Sequence, residues 1–234
     1  MASEALHRAL ADTTDPDPRP LPDRVEDLLR RIDAPPRLAA HLRLVHDVAW
    51  RIVAWVEREY PDAEFDREAV LFGAATHDIG KATHPEELSA PGHAHQLAGY
   101  ELLGAEGVEA DFARFTCTHA TWSESGLPLE DLLVSLADKV WKGARITQLE
   151  DLVVAHLAAA GATAVDTNSG AVEGAHGRAN GRAPRELWAV FAGFDDLLGD
   201  LAADADLRLA FQARHPITAA RPLPGRAFGV GRGA

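Results

Sequence analysis

An all-α fold is the class this sequence predicts, and three observations carry the prediction. Apolar residues recur at spacings of three and four along most of the chain, and few stretches alternate with period two. At 234 residues and 47% hydrophobic content, the chain is long enough to fill one core.

Residues 1–23 read as a flexible lead-in, because "ADTTDPDPRPLPD" (11–23) is rich in proline and aspartate. A short helix is expected over Arg24 to Ile32. Pro35-Pro36 then opens a long one, since proline is tolerated in a first turn. Its stripe is Leu38, Leu42, Val45, Ala49, Ile52 and Val56, while Arg43, Asp47, Arg51 and Arg58 fall away from it. Further helices are expected at about 67–79, 95–105, 109–121, 129–142 and 148–160. The small and polar run 161–183 reads as a mobile loop without stable secondary structure. From Pro184, the stripe Leu187, Phe191, Phe194, Leu198 and Leu201 predicts a helix that closes the same core. A basic, glycine-rich tail over 215–234 is expected to be disordered, which leaves 24–214 as one helical domain.

Charge and composition then narrow the function. A formal charge of −13 argues against binding nucleic-acid backbones and gives no sign of a membrane surface. A bound metal can still present positive charge to a small anionic substrate. Cys117 is the only cysteine, so neither an internal disulfide nor a cysteine zinc cage is available. No run reaches the length of a membrane span, and the N-terminus lacks the order of a secretion signal. The expectation is a cytoplasmic protein.

Seven of the eleven histidines lie between positions 41 and 119. Helical phase, at about 100° per residue, separates those that face inward. His77 and Asp78 end an apolar segment containing Ala69, Val70, Leu71, Phe72, Ala74 and Ala75. Gly80 reads there as a left-handed stop residue. An aspartate at a helix C-terminus meets the negative end of the macrodipole and calls for a nearby cation. His95 shares a line with Gly99 and Leu102, whereas His93 points the other way. His119 aligns with Phe112, Phe115 and Thr116. Asp138 lies on the Val134–Trp141 face of a helix that is apolar nearly all round. Burying its carboxylate is costly unless it is metal-bound or paired, with Lys139 or Arg145 as the alternative partner. In the long helix, His41 and His46 sit at opposite edges of the stripe, and periodicity does not choose between them.

The order His41, His77-Asp78, His95, His119, Asp138 resembles the HD-domain superfamily of metal-dependent phosphohydrolases, over about residues 37–145. "HLRLVHDVA" is similar to the family's first-histidine helix, and Val45 and Ala49 match its spacing from His41 and not from His46. "THDIGK" resembles the signature itself and "SLADKV" its closing aspartate. "HQLAGYELL" and "CTHATW" resemble the extra histidine segments of two-metal subfamilies, and no GYP-type extension follows the signature. The resemblance implies an HD-type helical domain holding two ions bridged by Asp78. His41, His77 and Asp138 would serve one ion, and His95 and His119 the other.

Four imidazoles and two carboxylates suit iron, manganese, nickel or zinc better than magnesium or calcium. One or two such divalent ions could hold a hydroxide as nucleophile and neutralise phosphate oxygens during in-line attack. Lys81 and His84 follow the signature directly and are candidates to hold a phosphate or protonate a leaving group. Arg145, read on the Asp138 face, is a further phosphate-binding candidate. The expected activity is hydrolysis of a phosphate ester or anhydride of a nucleotide or other small molecule. An HD-type di-iron oxygenase acting on a small polyol or phosphonate, and a non-catalytic nucleotide sensor, use the same residues.

Overall fold

The computed structural model describes residues 2–166 and 187–217, the side chains of 161–190 excepted, and these residues form helices, turns and loops with no strand. In chain order the helices are α1 (Glu4–Ala11), α2 (Asp23–Arg31), α3 (Pro36–Glu59), α4 (Arg67–Thr76), α5 (Ala94–Ala105) and α6 (Ala110–Ala113). There follow α7 (Phe115–Thr118), α8 (Leu129–Val140), α9 (Thr147–Asp166), α10 (Leu187–Ala203) and α11 (Ala205–Arg214). Two 3-10 turns, Ile79–Ala82 and Pro85–Leu88, separate α4 from α5.

The central element is α3, which packs against α1, α4, α8 and α11. Its N-terminal half gives Leu38, Ala39 and Leu42 to an apolar cluster shared with α1, α2 and α4. Its C-terminal half gives Val45, Val48, Ile52 and Val56 to a larger cluster with α8, α9 and α10. Local signals start the neighbouring helices. The Asp66 carboxylate accepts the Ala69 N–H at 3.0 Å and caps α4. Pro35 precedes the first residue of α3, and Pro36 occupies it. No helix among the described residues is long and apolar enough to cross a membrane.

Four expectations are corrected. The flexible lead-in contains α1, which the Ser3 hydroxyl caps and which buries Leu6, Ala9 and Leu10. Arg43 and Asp47, which fall away from the apolar stripe of α3, are nonetheless buried, with Arg43 against α1 and Asp47 against Arg19. The Arg43 guanidinium donates to the carbonyls of Ala9, Asp12 and Pro18 at 2.9, 2.9 and 2.7 Å, tying the lead-in to the core. The single helix expected over 109–121 is two short pieces that meet at Arg114, whose guanidinium pairs with the buried Asp131. Helix α9 continues through 161–166, the first residues of the expected loop; 167–183 lie outside the described residues. At the C-terminal end, His215 is buried, and its carbonyl accepts from Arg37 Nε at 3.0 Å. The remainder of the expected tail, 218–234, lies outside the described residues.

Candidate metal centre

Five separate segments deliver six buried side chains to one place. His41 comes from the first half of α3, His77 and Asp78 from the end of α4, His95 from the first turn of α5, His119 from the end of α7, and Asp138 from the last turn of α8. All six are buried, the most exposed being Asp138 at 7%.

The local chain explains how the α4 pair is presented. The His77 N–H still completes the helix, bonding the Gly73 carbonyl at 2.7 Å. Asp78 then leaves it with φ −103° and ψ 10°, and the 3-10 turn begins. Gly80 is not a left-handed stop residue, since the positive-φ glycines are Gly107, Gly126 and Gly143. Its missing side chain serves close packing: a Cβ there would lie 1.9 Å from the His95 carbonyl oxygen and 2.5 Å from the Gly99 nitrogen. The turn after Asp78 therefore lies directly on the backbone of α5, which brings His95 to Asp78.

Distances divide the cluster into two trios that meet at one carboxylate. His41, His77 and Asp138 form one and Asp78, His95 and His119 the other, each with three donor atoms within 4.8 Å of one another. Asp78 Oδ2 faces the first trio, at 3.0 Å from His41 Nε2 and 3.6 Å from His77 Nε2. Its Oδ1 faces the second, at 3.1 Å from His95 Nε2 and 3.7 Å from His119 Nε2. His77 Nε2 also lies 3.5 Å from Asp138 Oδ1. His41 stacks edge-on against Trp141, with ring centroids 4.7 Å apart.

Protonation follows from the hydrogen bonds. A carbonyl only accepts, so the contacts from His77 Nδ1 to Ala74 (3.0 Å) and from His119 Nδ1 to Phe115 (2.9 Å) place protons on Nδ1. Their Nε2 lone pairs face the cluster. Burial among the other imidazoles lowers the His119 pKa to about 4. Burial also lowers His41, against the pull of Asp78. His95 is shifted up: burial lowers it, but Asp78 and Glu87 together outweigh that. Burial opposes ionisation of Asp78 and Asp138, yet the facing imidazoles and lysines hold both well below the usual carboxylate range.

Lysines already act as cations at these carboxylates. Lys81 Nζ donates to Asp78 Oδ2 and Lys139 Nζ to Asp138 Oδ2, each at 2.6 Å, and Lys142 Nζ is 4.0 Å from the latter oxygen. Lys81 thus satisfies the requirement for a cation at the helix C-terminus. The donor set fits divalent transition metals, because first-row ions with bonds near 2.1 Å hold neighbouring donors about 3 to 3.5 Å apart. Neutral imidazole lone pairs and ionised carboxylates are the protonation states such ions require.

Other sequence candidates lie elsewhere. His46 is buried but joins neither trio, and burial with the nearby Arg19 and Arg43 lowers its pKa to about 4. His84 is partly exposed and contacts Glu86 at 3.3 Å. Arg145 does not lie on the Asp138 helix, which ends at Val140. Its guanidinium bonds both oxygens of Glu150 at 2.9 Å and Asp195 at 2.6 Å, pinning the turn after α8 to α9 and α10. That corrects its placement on the Asp138 face of the helix. Sequence reasoning also passed over Glu87, which meets His95 Nδ1 through a close contact. It lies in a 3-10 turn eight residues earlier, where helical phase carries no information.

A small all-α domain with a buried, mixed imidazole and carboxylate centre is the class that the fold and the site define. Residues 26–141 match the family model described as HD domain, a span that contains all six cluster residues. That match and the buried six-residue cluster together identify residues 26–141 as an HD domain. No curated protein and no solved structure matches it.

Proposed function

We propose that this protein is a metal-dependent phosphohydrolase cleaving a phosphate ester or anhydride of a nucleotide or another small molecule. The observation that carries the reading is Asp78, whose two oxygens face different histidine sets. His41, His77 and Asp138 would hold one divalent ion, His95 and His119 a second, and Asp78 would span both. Such ions, when bound, supply Lewis acidity toward phosphate oxygens and an activated water.

The chain's own residues supply the rest. Lys81 and Lys139 have ammonium groups at the rim of the centre, each about one-fifth exposed, and are placed to bind the oxygens of an anionic substrate. His84 follows Lys81 by three residues and is partly exposed, which suits a proton donor to the leaving oxygen. Burial of the His41 and His119 rings keeps their lone pairs available for coordination near neutral pH.

The test separates hydrolysis from oxygenation, which the same six residues could serve. Apo-protein is loaded anaerobically with manganese or nickel and assayed for phosphate release from nucleotides and sugar phosphates. Turnover without oxygen is the expected result. Activity confined to iron, with dioxygen consumed in proportion to product and every phosphate ester intact, would replace the hydrolase by the oxygenase.

The choice of histidine in α3 has its own test. His41→Ala is expected to lose metal and activity, while His46→Ala retains most of both. Elemental analysis finding His46→Ala metal-free and His41→Ala fully loaded would reverse that assignment.

A further inference from the structure

The four histidines of the centre differ at the nitrogen turned away from it. Nδ1 of His77 and of His119 each meets a neutral backbone carbonyl. Nδ1 of His41 has no hydrogen-bond partner among the described residues. Nδ1 of His95 alone meets a carboxylate, that of Glu87.

Glu87 is held for this contact. Its side chain is 9% exposed. Oε1 accepts the Ala94 N–H at 3.0 Å, and Oε2 accepts the His95 N–H at 3.2 Å as well as meeting the ring. The loop before α5 closes around the carboxylate, for a Cβ at Gly92 would lie 2.2 Å from Glu87 Oε1. One carboxylate therefore fixes the start of the helix and the imidazole it carries. An anionic acceptor at Nδ1 keeps the proton there, orients the ring and makes Nε2 a stronger electron donor. A neutral carbonyl does this less strongly.

We infer that Glu87 is a positioning residue for His95, and that it sets the affinity of the Asp78–His95–His119 position for its ion independently of the other position. The inference rests on the reading of the two trios as metal positions. It makes the two positions unequal: one relies on a carboxylate behind its ligand and the other does not. Glu87 approaches the ion only through His95, so its effect is on occupancy and ring orientation.

The experiment is a titration of chelator-stripped protein with cobalt(II), followed by visible absorption and calorimetry, which needs no substrate. Wild type is expected to bind two ions. Glu87→Gln keeps a neutral acceptor and is expected to weaken one ion about 10-fold; Glu87→Ala is expected to weaken it about 100-fold. The other ion should be unchanged in both variants. A purely structural role would weaken both ions together or neither, and either result overturns the inference. Should Glu87→Ala fail to fold without its cap, Glu87→Gln decides the outcome alone. Wild type binding no cobalt would instead remove the metal reading on which the inference depends.

Discussion

Asp78→Ala is expected to strip the protein of both ions and to reduce turnover by about a thousandfold or more, the scale of a lost Lewis-acidic pair. Its Oδ2 lies 3.0 Å from His41 Nε2 and its Oδ1 lies 3.1 Å from His95 Nε2, so one substitution removes a donor from both sides of the centre. His77→Ala removes a donor from the first trio only, and its metal loss should be less complete. Elemental analysis of the purified variants checks the first effect, and phosphate release checks the second. Asp78→Asn is the companion variant, since it keeps the shape while removing the charge that the imidazoles and Lys81 surround. Full metal content in both variants would exclude Asp78 as the shared ligand.

Gly80→Ala should produce the largest change in stability at a position outside the cluster. The added Cβ would meet the His95 carbonyl carbon at 2.8 Å as well as the His95 oxygen and the Gly99 nitrogen at shorter range. These are backbone atoms, so no rotamer change relieves the clash and α5 must move as a unit. Overpacking of this kind costs about 3 kcal/mol, a fall in Tm of about 6 to 12 °C for a chain of this size. Moving α5 also displaces His95 from Asp78, so one ion should be lost more readily than the other. Gly104→Ala, in the same helix, meets nothing within 4 Å. It should leave metal content intact and raise stability by about 0.5 kcal/mol through helix propensity. Thermal melts of the two variants decide the matter. Equal melting temperatures would show that the contact between the turn and α5 yields freely.

Helical phase was informative wherever a residue's surroundings repeat along its own helix. The inward placement of His95, His119 and Asp138 followed from their alignment with apolar neighbours, and all three are buried. The stripe of α3 was readable for the same reason. Phase failed where a distant segment covers the polar side of a helix. Arg43 and Asp47 fall away from the apolar stripe of α3, yet the N-terminal segment covers both. It also failed at Gly80, where composition suggested a turn conformation and the cause is contact with α5. Arg145 has a plausible position in the sequence, but Glu150 and Asp195 occupy its guanidinium. Glu87 lies in a turn with no periodic neighbours, so nothing local connects it with His95.

The sequence by itself determined the all-α class, the order of the histidine and aspartate segments and the likeness to the HD domain. Each depends on spacing within one segment, and helical geometry converts spacing directly into a face. Periodicity left His41 and His46 open, and the family spacing favoured His41. Only the tertiary structure set His41 beside Asp78, turned the two oxygens of Asp78 toward different trios, and brought Glu87 behind His95. Those outcomes depend on how far one segment lies from another and at what angle. Packing between helices sets both, and no period along a single helix records them.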